Sequence, residues 1–235
     1  MTTTVVFVHG ACVRDQAWWW GRMAAPLAAR GLATGAVDLP SCQMPAGARA
    51  GLHDDTAAVT AAVTAAVERK GGPVVLVGHS YGGVVIAEAG AHDAVAHLAY
   101  LDAVVPDAGE SLADLGGPDP APWMDPGDDG TVGVHTEHVR ELFLHDCDDA
   151  TVAGAVARLT RQSARPFGEA PATVAWRTTP ATFVVCADDR AIPAERQRAF
   201  AGRLGRWVEV ATGHFPFLAR PDVLAGVLAD IAGTC

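Results

Sequence analysis

The 235-residue chain lacks a run of basic residues and a Cys-x-x-Cys pair. It has no apolar stretch near the roughly 20 residues that a membrane span requires, and neither a Gly-x-Gly-x-x-Gly nor a P-loop pattern. Each absence closes off a class of function. A formal net charge of −10 without a basic patch argues against nucleic acid or an anionic membrane as a partner. The missing glycine-rich fingerprints leave nucleotide cofactors unsupported. Five scattered cysteines (Cys12, Cys42, Cys147, Cys186, Cys235), odd in number, read as reduced thiols rather than a disulfide framework. The first strand pattern starts near Thr4, leaving no room for a signal segment, so a soluble cytoplasmic protein is expected.

What is present is a globular composition, half apolar and 19% charged, of a size that fits one α/β domain. Apolar runs ending at Val8, Val37, Val77, Leu101, Cys186 and Val210 read as buried strands, and helical patterns separate most of them. Residues 18–30 read as a helix ended by Gly31, with Pro26 expected to kink or begin it, and a second begins where Asp54 or Asp55 can cap it. Such alternation predicts a mostly parallel sheet of about six strands with helices on both faces. From about residue 106 to 180 the pattern changes to Pro-, Gly- and Asp-rich sequence with short helical pieces. Seventy residues without a clear strand predict a mainly helical lid inserted into a single domain spanning 1–235.

The stretch Val74-Val75-Leu76-Val77-Gly78-His79-Ser80-Tyr81-Gly82-Gly83, followed by a small-residue helix pattern, carries the chemistry. A Gly-x-Ser-x-Gly between a strand and a helix is a nucleophile elbow, in which a sharp turn exposes the serine hydroxyl above the sheet. Gly78 and Gly82 flank the turn because a β-carbon there would meet neighbouring backbone.

A serine hydroxyl needs a base, and the base needs an orienting acid. In this fold the chain order is serine, acid, histidine, which singles out His214, just past the last strand, from nine histidines. His79 is expected to point away from Ser80, and His9 to support the turn after the first strand. For the acid, Asp188 and Asp189 both close the strand ending near Ala187, and Asp102 ends the fourth strand. Spacing does not choose among them. Ser80 Oγ should lie within hydrogen-bond reach of His214, whose other nitrogen faces the acid. The oxyanion would be held by the backbone N–H groups of Tyr81 and Ala11.

Gly10, Trp18 and Phe215 are expected to line the substrate pocket, although the aromatics here fit a core role equally. His135-x-x-His138 and the stretch from His145 to Asp149 lack a third ligand at recognised spacing, so no metal is expected and these residues read as a solvated acidic surface.

With these residues in view, the chain resembles the α/β-hydrolase superfamily along nearly its whole length. More narrowly, it is similar to the group of methyl salicylate esterases and hydroxynitrile lyases and their bacterial relatives. The resemblance rests on Phe7-Val8-His9-Gly10-Ala11-Cys12 with Trp18 and Trp20, the elbow, Val185 through Pro193, and Gly213-His214-Phe215-Pro216-Phe217-Leu218. It implies the acid four residues before Pro193, which is Asp189. The family's lyases carry threonine after the first-loop histidine and lysine after the catalytic histidine, where this chain has Gly10 and Phe215. The resemblance therefore points to the esterase branch: a cofactor-free hydrolase acting on small neutral esters. A lyase or tailoring activity reusing the same triad, or a low-turnover binder of the same fold, is the alternative. The expected partner is a small-molecule ester, and a homodimer is left open.

Overall fold

In a computed structural model of the chain, residues 2–45, 47–116 and 121–235 are described. Nine strands follow in chain order: β1 (Thr2–Val8), β2 (Ala33–Val37), β3 (Gly71–Ser80), β4 (Val95–Ala103), β5 (Met124–Pro126), β6 (Thr131–Val134), β7 (Gln162–Ser163), β8 (Ala181–Cys186) and β9 (Trp207–Val210). Six form one sheet in the order β2-β1-β3-β4-β8-β9, every neighbouring pair parallel.

Alternation along each strand sends side chains to two cores. Val5 and Phe7 of β1, with Val75 and Val77 of β3, face Met23, Leu27, Leu224 and Leu228 of the helices Gly21–Ala28 and Pro221–Ala232. The intervening Val6, Val8, Val74 and Leu76 face Val59 and Val63 of the helix Leu52–Lys70, and Val84 and Ile86 of the helix Gly82–Ala89. Both faces being covered explains why β1 and β3 read as unbroken apolar runs. The chain order reverses where β1 lies between β2 and β3, and the crevice at the carboxyl ends of such strands is where α/β sheets bind ligands. Val8 and Ser80 end there.

Three expectations are corrected in detail. The first helical segment is two pieces rather than one, Gln16–Trp19 and Gly21–Ala28, broken at Trp20, and Pro26 sits inside the second. Asp54 does stand in the first turn of the helix Leu52–Lys70, accepting from Gly51 N–H at 2.8 Å, whereas Asp55 turns inward to a different task described below. The insertion between β4 and β8 holds the helices Leu112–Gly116, Val139–Phe143, Asp149–Val156 and Arg165–Gly168, but also the antiparallel sheet β5-β6-β7. Strands of two to four residues, one containing Pro126 and another Gly133, are too short for alternation to register in the sequence. Among the described residues, no helix is long and apolar enough to cross a membrane.

Candidate active site

Ser80 is the last residue of β3 and has φ 53°, in the left-handed region that non-glycine residues seldom occupy. Holding it there costs about 1 kcal/mol or more, which the packed turn sustains. A β-carbon on Gly78 would stand 2.6 Å from the Gly82 carbonyl oxygen, and one on Gly82 would stand 2.5 Å from the Val8 oxygen. Both positions therefore admit only glycine, and the strained turn brings the helix Gly82–Ala89 directly behind the serine.

His214 and Asp189 come from loops after β9 and β8 and meet as expected: Asp189 Oδ2 lies 3.0 Å from His214 Nδ1, both residues buried. The Ala191 and Ile192 N–H groups donate to the two oxygens of the same carboxylate at 2.8 and 2.9 Å. Burial pushes Asp189 up, but the His214 charge and these hydrogen bonds outweigh it and hold the carboxyl down at about 2. Burial likewise draws His214 down, and the facing carboxylates reverse this and raise it. Asp188 is exposed, and its backbone carbonyl contacts His145 Nε2 at 2.9 Å. Asp102, the third option, also reaches the site, with Oδ2 3.2 Å from His214 Nδ1.

Ser80 and His214 line one small cavity of about 80 Å³ together with Gly10, Ala11, Trp19, Phe143 and Phe215. The expected Ser80–His214 hydrogen bond is not among those formed by the described residues. A serine hydroxyl swings about a single bond, and such contacts tighten when substrate binds. A larger cavity of about 400 Å³, also lined by Ser80, adjoins it and is walled by Tyr81, Val104, Leu112, Leu115, Phe167 and Phe200. Ala11 borders both cavities, so both expected oxyanion donors stand beside the serine.

Gly10 and Phe215 line the small cavity as expected, but Trp18 does not; Trp19 takes that place. The two are consecutive residues of one short helix and so point about 100° apart around its axis. Trp18 lies on the outer side beneath the Arg158 guanidinium, 4.6 Å from its ring centre. Trp19 is turned inward, its Nε1–H donating to the Arg14 carbonyl at 3.0 Å and its ring 5.0 Å from that of Phe215. His9 accepts at Nε2 from Leu39 N–H at 3.0 Å, so its Nδ1–H donates to the Gly10 carbonyl at 2.7 Å and braces the first loop. His79 packs beside His214, its Nε2 donating to the His214 carbonyl at 2.9 Å; burial keeps it well below the usual imidazole range, and therefore neutral.

Several supporting residues had no signal in the sequence. Asp55, fully buried, accepts from Tyr81 Oη–H at 2.7 Å, from Ser41 Oγ–H at 2.6 Å and from Ser41 N–H at 2.9 Å. Gln162 of β7 donates to Ser41 Oγ at 3.0 Å and accepts from Cys12 N–H at 3.0 Å, joining the first loop to the same network. Asp146 accepts from Gly213 N–H at 2.7 Å, next to His214. His145 and Asp146 thus fasten the two loops that carry Asp189 and His214, rather than forming only a solvated acidic surface.

Comparison with known proteins agrees with this geometry. The family model described as the alpha/beta hydrolase family matches residues 5–227. A pyrethroid hydrolase of Sphingobium wenxiniae is 29% identical over 251 residues, covering 98% of this chain and 88% of that protein. The crystal structure of a pyrethroid hydrolase from Sphingobium faniae superposes with a TM-score of 0.85 at 26% identity, covering 99% of this chain and 98% of that one. Polyneuridine aldehyde esterase has the same fold, with a TM-score of 0.83 at 20% identity over 99% of this chain and all (100%) of that one. With a strained serine elbow at the switch point, a buried histidine–carboxylate pair opposite it and a family match across nearly all of its length, this chain belongs to the alpha/beta hydrolase family.

Proposed function

We propose that the protein is a serine carboxylesterase working through an acyl-enzyme on Ser80. The observation that carries this reading is the shared cavity: Ser80, on its strained turn, faces the same space as His214, whose Nδ1 is bonded to the buried carboxylate of Asp189. His214 Nε2 takes the Ser80 proton as Oγ attacks the ester carbonyl. The Tyr81 and Ala11 N–H groups receive the negative charge on the carbonyl oxygen, and Asp189 holds the imidazole in the required tautomer. His214 then protonates the departing alkoxide, and water enters by the same route to release the acid.

Because His214 delivers the proton to the leaving group, the alcohol part belongs on its side, in the cavity of about 80 Å³ beneath Phe143 and Phe215. The acyl part takes the larger, mostly apolar space, about 400 Å³. Among the described residues lining that space, Arg196 is the one charged side chain, which suits an uncharged acyl group. The reading is therefore neutral esters with a small alcohol and an apolar acyl group, which extends to the acyl side the small esters expected from sequence. The pyrethroid hydrolase relatives support hydrolysis as the reaction class.

The test is hydrolysis of p-nitrophenyl and short-chain alkyl esters by purified protein and by Ser80→Ala. Turnover by the first and a loss of about 10,000-fold or more in the second is the expected result. Full activity in Ser80→Ala would remove the serine mechanism.

A further inference from the structure

The surroundings of His214 contain more carboxylate than one catalytic triad requires. A ring nitrogen of His214 and a carboxyl oxygen of each of Asp189 and Asp102 all lie within 4.8 Å of one another. Asp102 is the last residue but one of β4, has φ 45° and is fully buried. Its Oδ2 is 3.2 Å from His214 Nδ1, only slightly farther than the 3.0 Å to Asp189. The two carboxyls differ in what else they touch. Asp189 receives two backbone N–H bonds in addition to His214. Among the described residues, neither oxygen of Asp102 receives a well-directed hydrogen bond, because Nδ1–H points at Asp189.

A fully buried carboxylate with no donors is costly, and two of them side by side more so. One proton placed on Asp102 removes both costs, since its O–H finds an acceptor in the adjacent Asp189. Burial pushes Asp102 well above the usual carboxylate range, in accord with that placement. The other titratable groups facing this cluster carry no charge. Burial keeps the Cys186 thiol protonated and the His79 ring, behind His214, neutral. The proton also matters to the base. Two ionised carboxylates would hold His214 permanently protonated, and it could then accept nothing from Ser80.

We infer that Asp102 is a second acid of the His214 relay: a buried positioning residue that carries a proton, shares a single negative charge with Asp189, and takes over the pairing with His214 Nδ1 when Asp189 is absent. This inference rests on the serine esterase reading above. Its consequence is redundancy. Removing either carboxyl leaves one negative charge beside the imidazole, while removing both leaves none.

The experiment compares Asp189→Asn, Asp102→Asn and the double variant, with p-nitrophenyl acetate as substrate and the folded state of each checked by circular dichroism. Three readings are taken: kcat, the acid limb of kcat/KM against pH, and the downfield proton NMR signal of His214 Nδ1–H. In Asp189→Asn, kcat should fall by about 10- to 100-fold, far short of the roughly 10,000-fold typical when the sole triad acid becomes an amide. The acid limb should stay in place in both single variants, and the downfield signal should persist. In the double variant the limb should move to lower pH by about one unit or more, because no carboxylate remains to favour the imidazolium, and the signal should vanish. Asp189→Asn alone showing the full loss of activity, the moved limb and the lost signal would overturn the inference, and this decides the matter even if the double variant does not fold. Ser80→Ala is the separate arm: activity surviving there removes the esterase reading, whatever the acids do.

Discussion

Tyr81 donates its phenolic O–H to Asp55 at 2.7 Å, so the residue proposed as one oxyanion donor is anchored by a buried carboxylate. Through Ser41 and Gln162 the same carboxylate is linked to Cys12 N–H, one residue beyond the other expected donor, Ala11. Both proposed oxyanion donors therefore stand beside one hydrogen-bond chain. Tyr81→Phe should cost about 1–3 kcal/mol of stability by leaving Asp55 with one donor fewer, read as a lower urea midpoint. It should lower kcat more than it alters KM.

The same network has a pH signature. Burial raises the Asp55 carboxyl above its ordinary value. A raised folded-state pKa adds stability below the unfolded value, near 3.9, which is lost as pH rises through the folded one. Asparagine has no such dependence. Asp55→Asn should therefore cost less stability at pH 7 than at pH 4, in urea unfolding of both proteins at each pH; a cost growing with pH would show that Asp55 is held ionised instead.

Gly10 bears on the serine directly. A β-carbon there would sit 3.0 Å from Ser80 Cβ and 3.2 Å from His79 Nδ1. Gly10→Ala should displace the serine and lower kcat by about 10- to 100-fold, with a much smaller change in melting temperature. Gly10→Thr, bulkier still, should do more harm and install no new reaction.

Asp146 reaches from the insertion to Gly213 N–H at 2.7 Å, adjacent to His214. Asp146→Ala removes this brace and leaves His214 on a looser loop. The expected result is a fall in kcat of about 10-fold with little change in KM, measured with p-nitrophenyl acetate.

Reaction class can be checked by competition between two substrates. Cyanohydrin cleavage calls for a cation beside the departing cyanide, and Phe215 offers an apolar ring 5.0 Å from that of His214. An ester places its charge on the carbonyl oxygen instead. With mandelonitrile and p-nitrophenyl acetate assayed side by side, nitrophenol release should dominate, and faster Ser80-dependent cyanide release would overturn this.

The elbow was legible because its causes are local: Gly78, Ser80 and Gly82 lie within five positions, and the strand before them is buried on both faces. His214 was legible from chain order. The choice of Asp189 over Asp188 came from resemblance, and the physical difference lies in the surroundings: Ala191 and Ile192 N–H groups cradle the buried Asp189, while Asp188 is exposed. Asp102 was visible as a candidate but not as a companion, since it meets His214 from 112 positions away in sequence, across separate strands. Asp55 looked like a helix cap because Tyr81, its partner, lies in another segment. Trp18 and Trp19 could not be told apart by residue type, because tertiary packing decides which face of the helix Gln16–Trp19 meets the cavity: Trp18 lies under Arg158 and Trp19 lines the cavity.

The bond from Cys12 N–H to Gln162 on β7 has a practical consequence for re-engineering this scaffold. Insertions of this kind invite grafting, with a foreign cap exchanged to change which esters are accepted. Here such a transplant would cut a tie to the loop beside Ala11, and with it the ties that His145 and Asp146 make to the acid and histidine loops. A chimera would inherit the elbow without its supports. Retaining these three side chains at the seams, and varying only Leu112, Leu115 and Phe167 on the cavity wall, is the exchange the architecture tolerates.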